Sequence, residues 1–179
     1  MQNIIDTLRM LRRPIFLAGA VFLCGALVSP ALPDLPDAMI QPLLELAQQL
    51  KGKSWTTLAV FILAKNALAA IVAILGGFLL GIIPFSAALI NGMVLGRVIA
   101  LHPAAIGLLI PHGVFEIPAV TIAWGTGLWC AGWLRRPPRG ERLQHRAFTS
   151  LALFVKLILP LLALAAAIEA TGIKILTDA

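Results

Sequence analysis

Two ionisable side chains, His112 and Glu116, lie in one of the most apolar stretches of the sequence. They are four residues apart, so a helix would present both side chains on one face. A buried imidazole and carboxylate could bond helices together, bind a cation or take part in proton transfer. Because ionisable groups are costly in apolar surroundings, this pair marks a candidate functional site.

Three further polar residues of the apolar runs are candidates to lie near this pair: Asn66, Asn91 and Glu169. An asparagine deep in an apolar helix needs a partner on another helix, and Glu116 would accept a hydrogen bond from His112. We therefore predict one intramembrane polar hub formed by these five residues. No nucleophile can be placed beside it, so no catalytic residue is assigned and an enzyme is not expected.

The sequence is compatible with three functions of this hub. Its side chains could only bond helices to one another, which is common in membrane bundles. They could line a proton or substrate pathway, although no inverted repeat is detectable. They could bind a metal, for which His112 and Glu116 are the candidate ligands, but the familiar zinc spacings are missing. No metal and no cofactor are assigned.

Helix-breaking residues surround the pair: Pro111, Gly113 and Pro118. The apolar segment 104–134 is too long for one straight span at about 1.5 Å per residue. We predict a helix break at these residues, with a short leading helix that does not cross, followed by a kinked or broken fourth span over about 113–134. Irregular backbone at this depth is tolerated only where protein or a watery cavity covers it.

The composition is that of an integral membrane protein. Of the 179 residues, 60% are hydrophobic and 12% are charged, and a soluble domain carries roughly twice that share of charge. Charge-free runs accommodate several spans of about 20 residues. Strand-like alternation of polar and apolar residues is absent from the sequence. The fold class is therefore all-α, a polytopic transmembrane helical bundle.

Five spans are predicted within a single domain, 1–179. The first apolar run is interpreted as a retained span, because it is longer than the core of a usual signal peptide. A short amphipathic helix follows it, lying on the membrane surface or packed against the protein. Pro84 is expected to mark the turn into the third span. The spans are about 14–32, 55–82, 85–101, 113–134 and 148–170, and the amphipathic helix is about 37–50.

Glycines recur at a spacing of four residues in the second and third predicted spans. They are Gly77 with Gly81, and Gly92 with Gly96. Because glycine lets helix backbones approach closely, both pairs predict helix packing. We expect these faces to support a homo-oligomer, with a dimer favoured.

The net charge of +6 is interpreted as topology information and not as a sign of nucleic-acid binding. Basic residues cluster in 9–13 and 135–146, beside apolar runs. Such clusters lie on the cytoplasmic side of inner-membrane proteins, and an even number of crossings must separate them. The amino terminus is therefore predicted to be cytoplasmic and the carboxyl terminus to lie outside.

A series of short motifs extends over about 55–171: an early asparagine, an Asn-Gly-x-x-x-Gly segment, a Pro-His-Gly-x-x-Glu-x-Pro-Ala segment, later glycines and an Ile-Glu-Ala ending. In these motifs the sequence resembles the stage II sporulation protein M family. The matching residues are Asn66; Asn91, Gly92 and Gly96; Pro111, His112, Gly113, Glu116, Pro118 and Ala119; Gly125 and Gly127; and Ile168, Glu169 and Ala170.

This resemblance implies a multi-span protein of the cell inner membrane. The founding member looks like an anchor or scaffold that acts with two peptidoglycan-remodelling partners, stage II sporulation proteins D and P. The family also occurs in organisms that make no spores, so sporulation is not carried over. We expect a scaffold or assembly protein in the lipid bilayer, with envelope protein partners. The alternative is a small transporter or channel whose pathway passes His112 and Glu116.

Overall fold

A computed structural model describes residues 3–32, 52–103, 106–132 and 139–178. This part of the chain is helical apart from short turns and helix ends, and it contains no strand, so the predicted all-α fold is confirmed. The predicted amphipathic helix at 37–50 lies outside the described residues. The helices are α1 (Ile4–Val28), α2 (Trp55–Gly76), α3 (Ile82–Leu101), α4 (Ile106–Cys130), α5 (Arg139–Leu153) and α6 (Leu159–Asp178), with a 3₁₀ turn at Ser29–Ala31 and a π-helical turn at Phe154–Ile158.

Four helical stretches of the described chain are long and apolar enough to cross a membrane. At most about a third of each is buried, and many outward-facing side chains are large and apolar. A helix surface of this kind suits lipid better than water. A polytopic helical membrane protein is therefore confirmed, while a crossing by α4 stays a prediction. The four stretches are Ile4–Ala31, Trp55–Gly76, Ile82–Leu101 and Gly140–Ile175.

The helix α4 lies at the centre of the bundle, in contact with α1, α2, α3 and α6. Its Ala119 and Ala123 are fully buried, in a core cluster with Leu11 of α1, Ile74 of α2 and Leu162 of α6. The small alanine side chains allow three neighbouring helices to approach α4 closely. The polar residues of α4 are thereby surrounded by other helices of the same chain.

The helix pair α1 and α3 packs backbone against backbone. Gly92 lies against the carbonyl group of Phe22, and four residues later Gly96 lies against that of Ala26. Because the later glycine of α3 lies against the later residue of α1, the two helices run in the same direction. These two glycines are thus used for packing within one chain, so their faces lend no support to the predicted homo-oligomer, which stays a prediction.

The helix pair α2 and α4 is also close and parallel. Gly77 follows the end of α2 and lies against the backbone of Gly127 of α4. Asn66, nearer the start of α2, bonds to Glu116, nearer the start of α4. Both contacts have the same order along the two helices. The side chain that α4 carries at 116 therefore faces α2 at mid-helix.

The reversal between α2 and α3 occupies 77–81, earlier than the predicted turn at Pro84. Leu80 and Gly81 have left-handed φ values of 62° and 78°, and Gly81 is the N-cap of α3. Gly81 therefore serves the turn, although a β-carbon at this position would also lie close to Ala131. Pro84 falls in the first turn of α3, where its missing N–H has no partner to lose.

The outer helices extend beyond the predicted spans. The first helix begins at Ile4, ten residues before the predicted start at 14, because Asn3 caps it by accepting a hydrogen bond from the Ile5 N–H at 3.3 Å. The last helical segment covers 139–178 instead of 148–170, interrupted only by the π-helical turn. Polar helix ends are invisible to a search for apolar runs, which explains both differences.

The predicted helix break near the His112–Glu116 pair is wrong. One helix runs from Ile106 to Cys130 and contains Pro111, Gly113 and Pro118. Each proline removes a single backbone donor, whereas a full break would leave several backbone groups without water to bond them. Continuing the helix costs less in apolar surroundings. A bend in α4 remains a prediction.

Candidate functional site

Four of the five predicted hub residues meet between α2, α4 and α6. The Asn66 side-chain amide of α2 donates to Glu116 Oε1 of α4 at 3.1 Å. One ligand atom each of His112, Glu116 and Glu169 lies within 4.8 Å of the other two. Asn66 is buried, and the three titratable side chains are half-buried. We call these four residues the polar hub from here on.

The local sequence explains how each helix presents its hub residue. His112 and Glu116 are one helical turn apart, so the unbroken α4 directs both towards the same neighbours. The α6 residues Ala166 and Ala170 pack against Leu58 of α2 with almost no exposed surface. These small side chains bring α6 close to α2, and Glu169, next to Ala170, reaches the pair on α4.

A second polar contact, outside the hub, links α2 and α6. The Trp55 indole Nε1 donates to Thr171 Oγ1 at 3.0 Å, and Thr171 Oγ1 donates to the Ala167 carbonyl at 2.8 Å. Trp55 begins α2 and Thr171 lies two residues after Glu169, so the start of α2 meets the second half of α6. Sequence reasoning missed this contact, because no local pattern pairs residues 116 positions apart.

Asn91 does not join the hub, which corrects the prediction for this residue. Its side chain is exposed, and its amide donates to the Ala87 carbonyl on the same helix at 2.8 Å. The physical reason is the rotation of α3: Gly92 faces α1, so the preceding residue points away from that contact. The side chain of an asparagine in an apolar helix can thus donate its hydrogen bond to a carbonyl of its own helix and needs no partner on another helix.

The opposite end of the bundle carries the basic starts of α1 and α5. A cavity of about 370 Å³ lies between them, lined among others by Thr7 of α1, His145 and Phe148 of α5, and Lys156 of the π-helical turn. Nearby, the Arg146 guanidinium lies 4.4 Å from the centre of a Trp129 ring. The first basic segment and the described part of the second, 139–146, therefore lie at the same end.

The chemistry of the polar hub is dominated by two carboxylates in a partly desolvated place. Like charges this close repel strongly unless a proton, an imidazolium or a bound cation compensates them. Asn66 supplies a hydrogen bond to one carboxylate but no charge. The hub can therefore bond three helices together, share a proton or hold a cation.

Comparison with known proteins identifies one family. The family model described as stage II sporulation protein M matches residues 14–172. That range contains the whole polar hub and all helices except the first part of α1 and the end of α6. No curated protein and no solved structure matches the chain.

Proposed function

Because the chain belongs to the stage II sporulation protein M family, we propose that it is an integral scaffold or assembly protein of the cell inner membrane, with envelope proteins as partners. The observation that carries the proposal is that the polar hub is bonded between helices. Asn66 of α2 donates to Glu116 of α4, and Glu169 of α6 lies beside them. Together with the Trp55–Thr171 bond, this hydrogen bond ties α2 to both α4 and α6, which suits a fixed scaffold in the bilayer.

The proposal includes five crossings, with α4 as a kinked fourth span. Three arguments support it: α4 runs parallel to α2, it is 25 residues long, and it is covered by four helices. Its Pro111 and Pro118 are the residues at which a bend is expected. With five crossings, the basic ends of α1 and α5 lie in the cytoplasm and the carboxyl terminus lies outside.

Cysteine labelling tests the number of crossings. Three crossings separate Lys53 from Gly140 if α4 spans the membrane, and two if it does not. In a chain with Cys24→Ser and Cys130→Ala, an impermeant maleimide should label Lys53→Cys in intact cells. It should label Gly140→Cys only after permeabilisation, as for the control Asp6→Cys at the start of α1. Labelling of positions 53 and 140 from the same side would remove the fourth crossing.

A small transporter or channel is the second candidate function. It is favoured by the convergence of His112, Glu116 and Glu169 at mid-helix, since ionisable groups at membrane depth often mark ion or proton routes. A route would require water or substrate to reach these side chains. The two functions differ in what Glu116 must do: accept a hydrogen bond in a scaffold, or change its charge in a transporter.

Photo-crosslinking in native membranes tests the scaffold directly. Phe16 and Leu27 of α1 are each 80% exposed, so a photoreactive residue there would contact a partner helix, whereas Leu11 is fully buried and serves as the control. We expect discrete protein adducts from positions 16 and 27 and none from 11. The adducts should persist in Glu116→Gln, which keeps an acceptor oxygen at the hub.

Flux measurements in proteoliposomes complete this test. A scaffold should show no proton or cation flux above that of empty liposomes, with or without Glu116→Gln. Flux that disappears in a folded Glu116→Gln variant would favour the transporter. Absence of protein adducts at both exposed positions of α1 would count against the scaffold.

A further inference from the structure

We infer that His112, Glu116 and Glu169 form a binding site for a divalent cation of the Zn²⁺ or Mn²⁺ class. One imidazole nitrogen and two carboxylate oxygens, from two helices, lie within 4.8 Å of one another. Ligand atoms around a tetrahedral Zn²⁺ are about 3.5 Å apart, given metal–ligand distances of about 2.1 Å. The largest difference in distance is about 1.3 Å, which is within the reach of side-chain rotation.

Charge is the first argument for a cation. Two ionised carboxylates would place two negative charges inside an apolar bundle, and a neutral imidazole would compensate neither. A divalent ion cancels both charges, whereas an imidazolium would cancel only one. The exposed Lys65 of α2 also interacts electrostatically with Glu116, but it carries a single charge. A divalent cation therefore compensates two ionised carboxylates more completely than either Lys65 or an imidazolium alone.

The donor set is the argument for the class of cation. Imidazole nitrogen suits Zn²⁺ and related transition metals, while Mg²⁺ and Ca²⁺ favour oxygen ligands throughout. Carboxylate oxygens are shared by both groups of metals. Three protein ligands leave at least one coordination position for water. The set thus favours Zn²⁺ or Mn²⁺ over Mg²⁺.

The surroundings of the three ligands resemble the outer shell of a metal site. Residues that ligate metals are usually held by a further hydrogen bond that fixes their orientation. The Asn66 amide makes such a bond to Glu116 Oε1 at 3.1 Å and leaves the other carboxylate oxygen available. The Trp55–Thr171 bond holds α6 against α2 close to Glu169. Each ligating helix is therefore anchored independently of the ion.

Metal binding to the purified chain tests this site. The full chain in detergent is stripped with a chelator, and Zn²⁺, Mn²⁺ or Mg²⁺ alone is added during calorimetric titration and thermal unfolding. We expect one Zn²⁺ or Mn²⁺ per chain and a Tm increase of about 5 °C at a hundredfold excess over Kd. Mg²⁺ should bind at least tenfold more weakly.

Substitutions at the site and away from it should weaken metal binding to different extents. Glu169→Gln removes a ligand and should weaken binding by more than about 100-fold, whereas Asn66→Ala removes only the orienting bond and should weaken it about tenfold. His102→Gln together with His145→Gln removes the other two histidines, and Glu141→Gln removes a carboxylate in α5; these controls should bind as the parent chain does. Equal loss in the controls would mean adventitious surface binding and overturn the site.

Two further outcomes would overturn the site even if a ligand variant fails to fold. The first is an unchanged Tm of the parent chain with all three metals, accompanied by pH-dependent stability, which would mean that the carboxylates share a proton. The second is a Co²⁺ absorption spectrum identical to that of the hydrated ion. These measurements use the isolated chain, so a negative result for metal binding does not contradict the scaffold proposal. A negative result in partner crosslinking likewise does not contradict the cation site.

Discussion

Gly92→Leu should lower the free energy of unfolding by about 3 kcal/mol, because it drives a side chain into the backbone of α1. A β-carbon at position 92 would collide with the Phe22 carbonyl group. Unlike the end of a flexible side chain, a helix backbone cannot move locally, so α1 and α3 must separate along their length. Their contact is the most extensive one between helices of the described chain.

A thermal unfolding curve in detergent, monitored by tryptophan fluorescence, measures this effect. Gly172→Leu in α6 is the matched control, because nothing lies within 4 Å of a β-carbon there. The control should change the free energy of unfolding by less than about 0.5 kcal/mol. Comparable stability of the two variants would show that α1 and α3 do not pack through Gly92.

Glu116→Ala should lower the free energy of unfolding by about 2 kcal/mol. The substitution leaves the buried Asn66 amide without the acceptor that it has at 3.1 Å. Glu116→Gln keeps an acceptor oxygen and removes one of the two repelling carboxylates. In metal-free protein it should therefore be clearly more stable than Glu116→Ala and close to the parent chain, because it keeps the hydrogen bond and removes a charge beside Glu169.

A double-mutant cycle isolates the helix–helix bond from these other effects. Asn66→Ala, Glu116→Ala and the double variant are compared by chemical or thermal unfolding. We expect a coupling energy of about 1 kcal/mol, the range found for hydrogen bonds between membrane helices. Additive effects of the two substitutions would mean that the Asn66–Glu116 bond contributes nothing to stability. Asn91→Ala, outside the hub, is the control and should be close to neutral.

A hub that only bonds helices and a hub that also binds a cation predict different effects of substituting Glu116. If the hub only bonds helices, the free energy of unfolding depends on the acceptor oxygen at position 116 and does not change when metal is added. If it also holds a cation, added Zn²⁺ or Mn²⁺ stabilises the parent chain and fails to stabilise Glu116→Gln. Comparing these two proteins with and without metal therefore separates structural from ligand-binding use of Glu116.

The all-helical membrane fold and the chemistry of the hub could be predicted from the sequence. Both depend on short-range properties: runs of apolar residues, and the spacing of four that places His112 and Glu116 on one helical face. The family resemblance likewise rests on residues within local motifs, such as Pro111 to Ala119. Hydropathy and helical periodicity are properties of residues that are close together in the sequence, so they can be recognised without knowing how the helices pack.

Only the tertiary structure decided which polar residues meet and how the helix containing them runs. Asn66 and Glu169 reach Glu116, whereas Asn91 bonds to its own helix, because the rotation of each helix is set by packing against others. The prolines of α4 remain inside one helix, since a break would leave backbone groups unsatisfied in apolar surroundings. The glycines at 92 and 96 serve α1 of the same chain. Spacing along the sequence permits a close contact, but the partner that occupies it is determined by the arrangement of the whole bundle.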